Sequence, residues 1–91
     1  LTQNYPNPFN PQTSLSFSLP QTMLGQNVRL EIFNILGQRI RLLFNGKARV
    51  QKYRLTWLGQ NDAGLQMPSG IYFYRLSVKG NTLTRRMLLM K

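Results

Sequence analysis

The sequence predicts an all-β chain, folded as a small antiparallel β-sandwich of about seven short strands. Three observations carry this. Apolar residues recur with period two and nowhere with a helical period. Asn, Gly and Pro interrupt that alternation at short intervals, as turns between strands do. The chain has 91 residues, 42% of them hydrophobic, with five Phe, four Tyr and one Trp. That suffices for one core and one domain. There is no cysteine, so packing and not a disulfide framework has to hold the fold.

The elements follow in order. "NYPNPFNP", Asn4 to Pro11, is no helix and no central strand, because proline fixes φ and lacks an amide donor. It reads as a stiff, extended lead-in over residues 1–13, with Tyr5 and Phe9 anchoring it on an apolar surface. The sandwich then spans 14–91. Leu15, Phe17 and Leu19 alternate with Ser14, Ser16 and Ser18 until Pro20 ends the strand. After the turn-like "QTMLGQN", Val28, Leu30 and Ile32 alternate with Arg29, Glu31 and Phe33. "NILGQ" is a tight turn in which Gly37 supplies positive φ. Ile40 and Leu42 oppose Arg39 and Arg41 in the next strand. "FNGK", Phe44–Lys47, reads as a second hairpin turn, since Asn-Gly is the strongest short hairpin signal. Tyr53, Leu55 and Trp57 alternate with Lys52, Arg54 and Thr56. The irregular "LGQNDAGLQMPSG" leads into "IYFYRLSVK", where Tyr72, Tyr74, Leu76 and Val78 share a face. "GN" at Gly80–Asn81 turns the chain into a last strand, Thr82 to Met90.

Composition excludes most chemistry. With no His, no Cys and only Glu31 and Asp62 as carboxylates, there is no Ser-His-Asp, Cys-His or zinc site to build. A paired-carboxylate site would need those two residues to meet. No cofactor and no catalytic residue is expected. "GQNDAG", Gly59 to Gly64, is rich in oxygen but holds one carboxylate, too few for a good calcium loop. Asn61 and Asp62 there are expected to cap local amides. No apolar run reaches the ~18–20 residues that cross a bilayer, and no signal peptide is evident. Opening on Leu1, the chain reads as a piece of a longer protein.

The charge is lopsided: twelve Lys and Arg against two acids, a formal +10, which attracts polyanions. Arg29, Arg39, Arg41, Lys52, Arg54 and Arg75 fall opposite the apolar positions of their strands. Pairing of neighbouring strands would gather them into one positive face with Glu31 as its only internal partner. Such a face is either solvated or takes an anionic partner, lipopolysaccharide or nucleic acid. Specific nucleic-acid recognition has no recognition helix or RNA-type aromatic motif behind it, though an oligonucleotide-binding barrel stacking bases on Phe33, Tyr72 and Tyr74 is the alternative within that class.

Taken from end to end, the chain resembles the C-terminal sorting domain of proteins exported by the type IX secretion system of Bacteroidetes and related bacteria. The blocks are "NYPNPFNPQTSLSFSLP", "VRLEIFNILGQRI", the tryptophan-glycine pattern of "WLGQNDAG", "MPSGIYFYRLSVKG" and the basic, aliphatic end "TLTRRMLLMK". Asn4, Tyr5, Pro6, Pro8, Phe9, Pro11, Gly37, Trp57 and Gly59 are the signature positions. Leu58 departs from the acidic or amide residue usual between the tryptophan and the glycine. The resemblance implies a small immunoglobulin-like sandwich that sits behind N-terminal cargo domains. It also implies transit through the periplasm, recognition by an outer-membrane translocon, and removal by a sortase-like peptidase upstream of Asn4. The cargo then stays on the cell surface, often on lipopolysaccharide, or is secreted. Gly70, Tyr72, Arg85, Arg86 and Lys91 are the recognition candidates it suggests. A structural assembly module is the rival reading, since the immunoglobulin-like domain of flagellar hook-capping proteins is similar around Trp57 to Leu76. A polyanion-binding module is the third.

Overall fold

The computed structural model describes residues 1–10 and 12–90; Pro11 and Lys91 lie outside them. Six strands are formed: β1 Thr13–Ser18, β2 Asn27–Phe33, β3 Arg39–Lys47, β4 Lys52–Trp57, β5 Gly70–Val78 and β6 Asn81–Leu89. They make two antiparallel sheets, β1-β4 and β3-β2-β5-β6. A seventh, short segment pairs with the free edge of β1. There Thr2 N donates to Ser16 O at 3.0 Å, Tyr5 N to Ser14 O at 3.0 Å and Ser14 N to Tyr5 O at 2.9 Å.

The alternation of the sequence places the core. Leu15 and Phe17 of β1, Val28, Leu30 and Ile32 of β2, and Tyr72, Tyr74 and Leu76 of β5 are all buried between the sheets. Met87 and Leu89 of β6 join them, as does Trp57 at the end of β4. Aromatic pairs close the two ends of the sandwich. Phe17 stacks on Tyr53 at 4.9 Å, which Phe44 meets at 5.2 Å. At the other end Trp57 lies 5.6 Å from Phe9 and 5.3 Å from Tyr72. Each such pair adds about 0.5–1.5 kcal/mol beyond the area it buries.

Four local expectations are overturned. Asn45-Gly46 is no hairpin turn: both residues lie within β3, opposite Arg29 and Val28. The chain stays in the ladder to Lys47 and then crosses to the other sheet, so β3 and β4 are neighbours in sequence but not partners. Leu42 yields its core place to Leu43, because a register shift between Leu30 and Glu31 sets Leu42 opposite outward-facing Glu31. The lead-in is not extended throughout. It bends at Pro6–Pro8, with cis peptide bonds at Tyr5–Pro6 and Asn7–Pro8. The last turn falls at Lys79–Gly80 and not at Gly80–Asn81, because Asn81 already pairs with Val78 in β6, while the turn after β2 forms where expected. Gly37 has φ 78° in the Asn34–Gln38 turn, whose amides at Leu36 and Gln38 are capped by Asn34 Oδ1 at 3.0 Å.

Candidate recognition surface

The Pro-Asn block and the last strand, 80 positions apart in sequence, meet in space. Phe9 runs parallel to β6, with Phe9 N donating to Leu88 O at 3.0 Å and Met90 N to Phe9 O at 2.9 Å. Asn7 Oδ1 accepts from Leu88 N at 2.9 Å, and Gln3 Nε2 donates to Arg86 O at 2.9 Å. The first residues therefore bridge both sheets, beside β1 at Tyr5 and beside β6 at Phe9.

Phe9 is buried at 2% exposure, as an anchor must be, but Tyr5 is 78% exposed and anchors nothing through its ring. Its backbone pairs with Ser14, and that turns the side chain to solvent. The second anchor is Asn4, 3% exposed. Asn4 Nδ2 donates to Pro6 O and to Thr13 Oγ1, both at 3.0 Å, while its amide donates to Tyr74 Oη at 2.9 Å. Tyr74 Oη in turn donates to Thr2 O at 2.8 Å. Burial raises the Tyr74 hydroxyl pKa, opposed in part by the Asn4 amide and the nearby Arg85 charge. Burial alone raises that of Tyr72, whose hydroxyl donates to Pro68 O at 2.7 Å. Pro6 and Pro8 are exposed; Pro11 is outside the described residues.

Of the recognition candidates, Gly70 and Tyr72 border a concavity of about 320 Å³ between the Asn34–Leu36 turn and the Met67–Ile71 segment. Arg86 borders a second one, about 390 Å³, with Asn7, Pro8 and Leu88. Ile71, 40% exposed, lines both. Ile35 and Leu36, 70% and 78% exposed, extend the strip onto the turn. Parts of four sequence blocks thus converge on one partly apolar strip. Arg85 faces the other way and donates to Leu1 O at 2.8 Å. Lys91 is outside the described residues. No periodic pattern marks the strip's apolar members, although two aliphatic residues at the tip of "NILGQ" are a readable signal.

The cations do not form one face. Lys52 and Arg54 pair with Ser18 and Ser16 in the two-stranded sheet. Arg29, Arg39 and Arg75 share the outer face of the four-stranded sheet, while Arg41 donates to Asn61 O at 2.9 Å. The single-face expectation fails because β4 crosses to the other sheet. Glu31 is the hub of the larger face. It is 4% exposed, 3.4 Å from Arg39 and 3.8 Å from Arg75, whose guanidinium also covers the Phe33 ring at 4.4 Å. In the irregular loop, Asn61 Oδ1 accepts from Ala63 and Leu65 amides, and Asp62 Oδ1 from Leu42 N. Asn61 thus caps local amides as expected, whereas Asp62 does not: its carboxylate reaches 20 positions back to β3 and ties the loop to that strand. Trp57 Nε1 donates to Gln60 O at 2.8 Å, and buried Gly59, at φ 74°, accepts from Met67 N.

Comparison with known proteins follows the same lines. Residues 3–90 match the family model described as the secretion system C-terminal sorting domain. No curated protein sequence matches the chain. Among solved structures it is similar to part of dimeric latent PorU from Porphyromonas gingivalis. There the identity is 18%, the TM-score 0.73, and the likeness covers 96% of this chain and 9% of that one. PorZ from the same organism, described as an essential bacterial surface component of the type-IX secretion system, is similar at 17% identity and TM-score 0.61, over 98% and 11% of the chains. FlgD from P. aeruginosa is similar at 23% identity and TM-score 0.58, over 86% and 59%. The chain thus spans about a tenth of the first two, and at these identities the likeness is one of fold.

Proposed function

Since the chain belongs to the secretion system C-terminal sorting domain family and so is a type IX secretion sorting signal, we propose that it acts as one folded tag, read on the strip where its first and last blocks meet. The family match from residue 3 to residue 90 carries this reading, because it takes in every strand and the lead-in. The parent protein goes across the outer membrane to the cell surface or beyond. On this reading it first passes through the periplasm behind N-terminal cargo domains. The outer-membrane translocon then reads the domain, with Gly70, Tyr72, Arg86 and Lys91 at the contact and Arg85 holding the entering chain. The domain is the substrate of a sortase-like peptidase and not a catalyst. Cleavage falls upstream of Asn4, because Asn4, Phe9 and Thr13 dock the block that follows on the sandwich. Lipopolysaccharide receives the cargo and is not read by the domain's signature residues.

The test is export of a fluorescent reporter carrying a signal peptide in front and residues 1–91 behind, in a host with a type IX system. Deleting β6 would remove Met87 and Leu89 from the core and confound sorting with misfolding. Ile71→Glu and Arg86→Glu, on exposed positions, are the variants to use. Surface or medium fluorescence that is lost in a translocon-deficient host, and in the folded variants, supports the reading. A folded domain that leaves its reporter in the periplasm of a competent host overturns it.

A further inference from the structure

On the outer face of the four-stranded sheet, strand pairing sets Thr82, Ser77, Arg29 and Asn45 in one row across β6, β5, β2 and β3. This row floors an open concavity of about 550 Å³, which Asn27 and Lys79 complete. It lies at the far end of the sheet from the strip that carries Gly70 and Tyr72. Neither the Arg29 nor the Lys79 side chain has an ion-pair or hydrogen-bonding partner among the described residues. The carboxylate two positions from Arg29 is Glu31, already held between Arg39 and Arg75. Asp62 Oδ1 is taken by a backbone amide of β3.

Lys79 is also in an unusual place. It has φ 50° in the two-residue turn to β6 and is the one non-glycine residue with positive φ among those described. Such turns favour Asn, Asp or Gly, and a long cationic side chain is carried there against that preference, the kind of outlier that marks a binding position.

From this geometry we infer that the Arg29–Lys79 concavity binds a phosphorylated sugar. Two unpaired cations suit a phosphate, by charge-assisted hydrogen bonds. Asn27 Nδ2 donates to Asn45 Oδ1 at 3.3 Å, which leaves Asn27 Oδ1 and Asn45 Nδ2, with the hydroxyls of Ser77 and Thr82, to suit the hydroxyls of the sugar, which can both donate and accept. The lining has no aromatic ring for a nucleobase to stack on, and Val78 is its only apolar residue, too little for an acyl chain. The volume leaves room beyond a single phosphate. The site goes beyond the sorting reading and does not rest on it.

The test is amide NMR titration of the domain at low ionic strength, where screening is weak, with glucose 6-phosphate, inorganic phosphate and phosphatidylglycerol vesicles in parallel. Glucose 6-phosphate should move the amides of Asn27, Arg29, Asn45, Ser77, Lys79 and Thr82, and bind more tightly than inorganic phosphate. The double variant R29Q/K79Q should weaken it by about tenfold or more, the loss expected of charge-assisted bonds. K52Q/R54Q, which removes the same charge from the other sheet, should change it by less than about twofold. Equal losses in the two double variants would mean diffuse attraction to the net charge and overturn the site. So would inorganic phosphate binding as tightly as the sugar phosphate, an adventitious ion only. Shifts produced by the vesicles and not by glucose 6-phosphate would overturn it in favour of a lipid surface.

Discussion

Phe9→Ala tests whether the Pro-Asn block is part of the folded unit. Phe9 is 2% exposed, packs 5.6 Å from Trp57, and its backbone holds the end of β6 by two hydrogen bonds. Truncating a buried phenylalanine costs about 3–5 kcal/mol, the lost transfer energy plus the cavity left behind. The site lies at the mouth of the sandwich, where the exposed lead-in can settle inward, so about 3 kcal/mol is expected. A domain of this size has roughly 5–10 kcal/mol in all. The loss should therefore lower the midpoint of thermal unfolding by about 12–24 °C, at ~4–8 °C per kcal/mol. Tyr5→Ala, one turn away and 78% exposed, should stay within about 0.5 kcal/mol of the parent. Urea unfolding followed by Trp57 fluorescence measures both. If Phe9→Ala costs less than ~1 kcal/mol, the block is not docked in solution and the bridge between the sheets is wrong.

Other predictions follow from the same contacts. Asn4→Asp keeps the size but loses the Nδ2 donor to Thr13 and Pro6; with the group 3% exposed, it should cost about 1–3 kcal/mol by urea unfolding. Glu31→Gln leaves Arg39 and Arg75 facing each other without a carboxylate. Those arginines are 44% and 40% exposed, so solvent limits the cost to about 1–2 kcal/mol. A double-mutant cycle with Arg39→Gln should recover part of it, and strict additivity would refute the coupling. Burial raises the Tyr72 and Tyr74 hydroxyls above their ordinary 10.0. Their contribution is therefore complete below pH 10 and is lost as pH rises through the folded values. Melting points flat from neutral pH to well past that range would contradict it. Gly37→Ala, at φ 78° in open space, should cost about 1 kcal/mol through backbone strain alone.

Period two was enough to find the buried faces of β1, β2 and β5, because each has a sheet on one side and solvent on the other. It could not say which strands pair. Asn45-Gly46 carries the composition of a hairpin turn, yet β3 runs through it because Val28 and Arg29 of β2 offer a longer ladder than a turn there would leave. With that turn removed, Lys52 and Arg54 go to the other sheet, and the single basic face goes with it. Asn4 was legible as part of a signature but not as a buried residue. Its burial depends on Thr13 and Tyr74, nine and 70 positions away, and no local pattern encodes such a contact. The strip around Ile71 is of the same kind: its members come from four separate blocks, and only the folded register brings them side by side.

The crossing of Phe9 and Leu89 also has a mechanical sense. The two segments run parallel there, so a pull on the chain ahead of Leu1, against a hold on the end of β6, slides them past each other lengthwise. The Phe9 N to Leu88 O and Met90 N to Phe9 O bonds then share the load and must break together, where strands peeled apart sideways lose one bond at a time. A load on the chain ahead of Leu1 would reach this joint in shear only after the Thr2–Ser16 and Tyr5–Ser14 bonds ahead of it had given way.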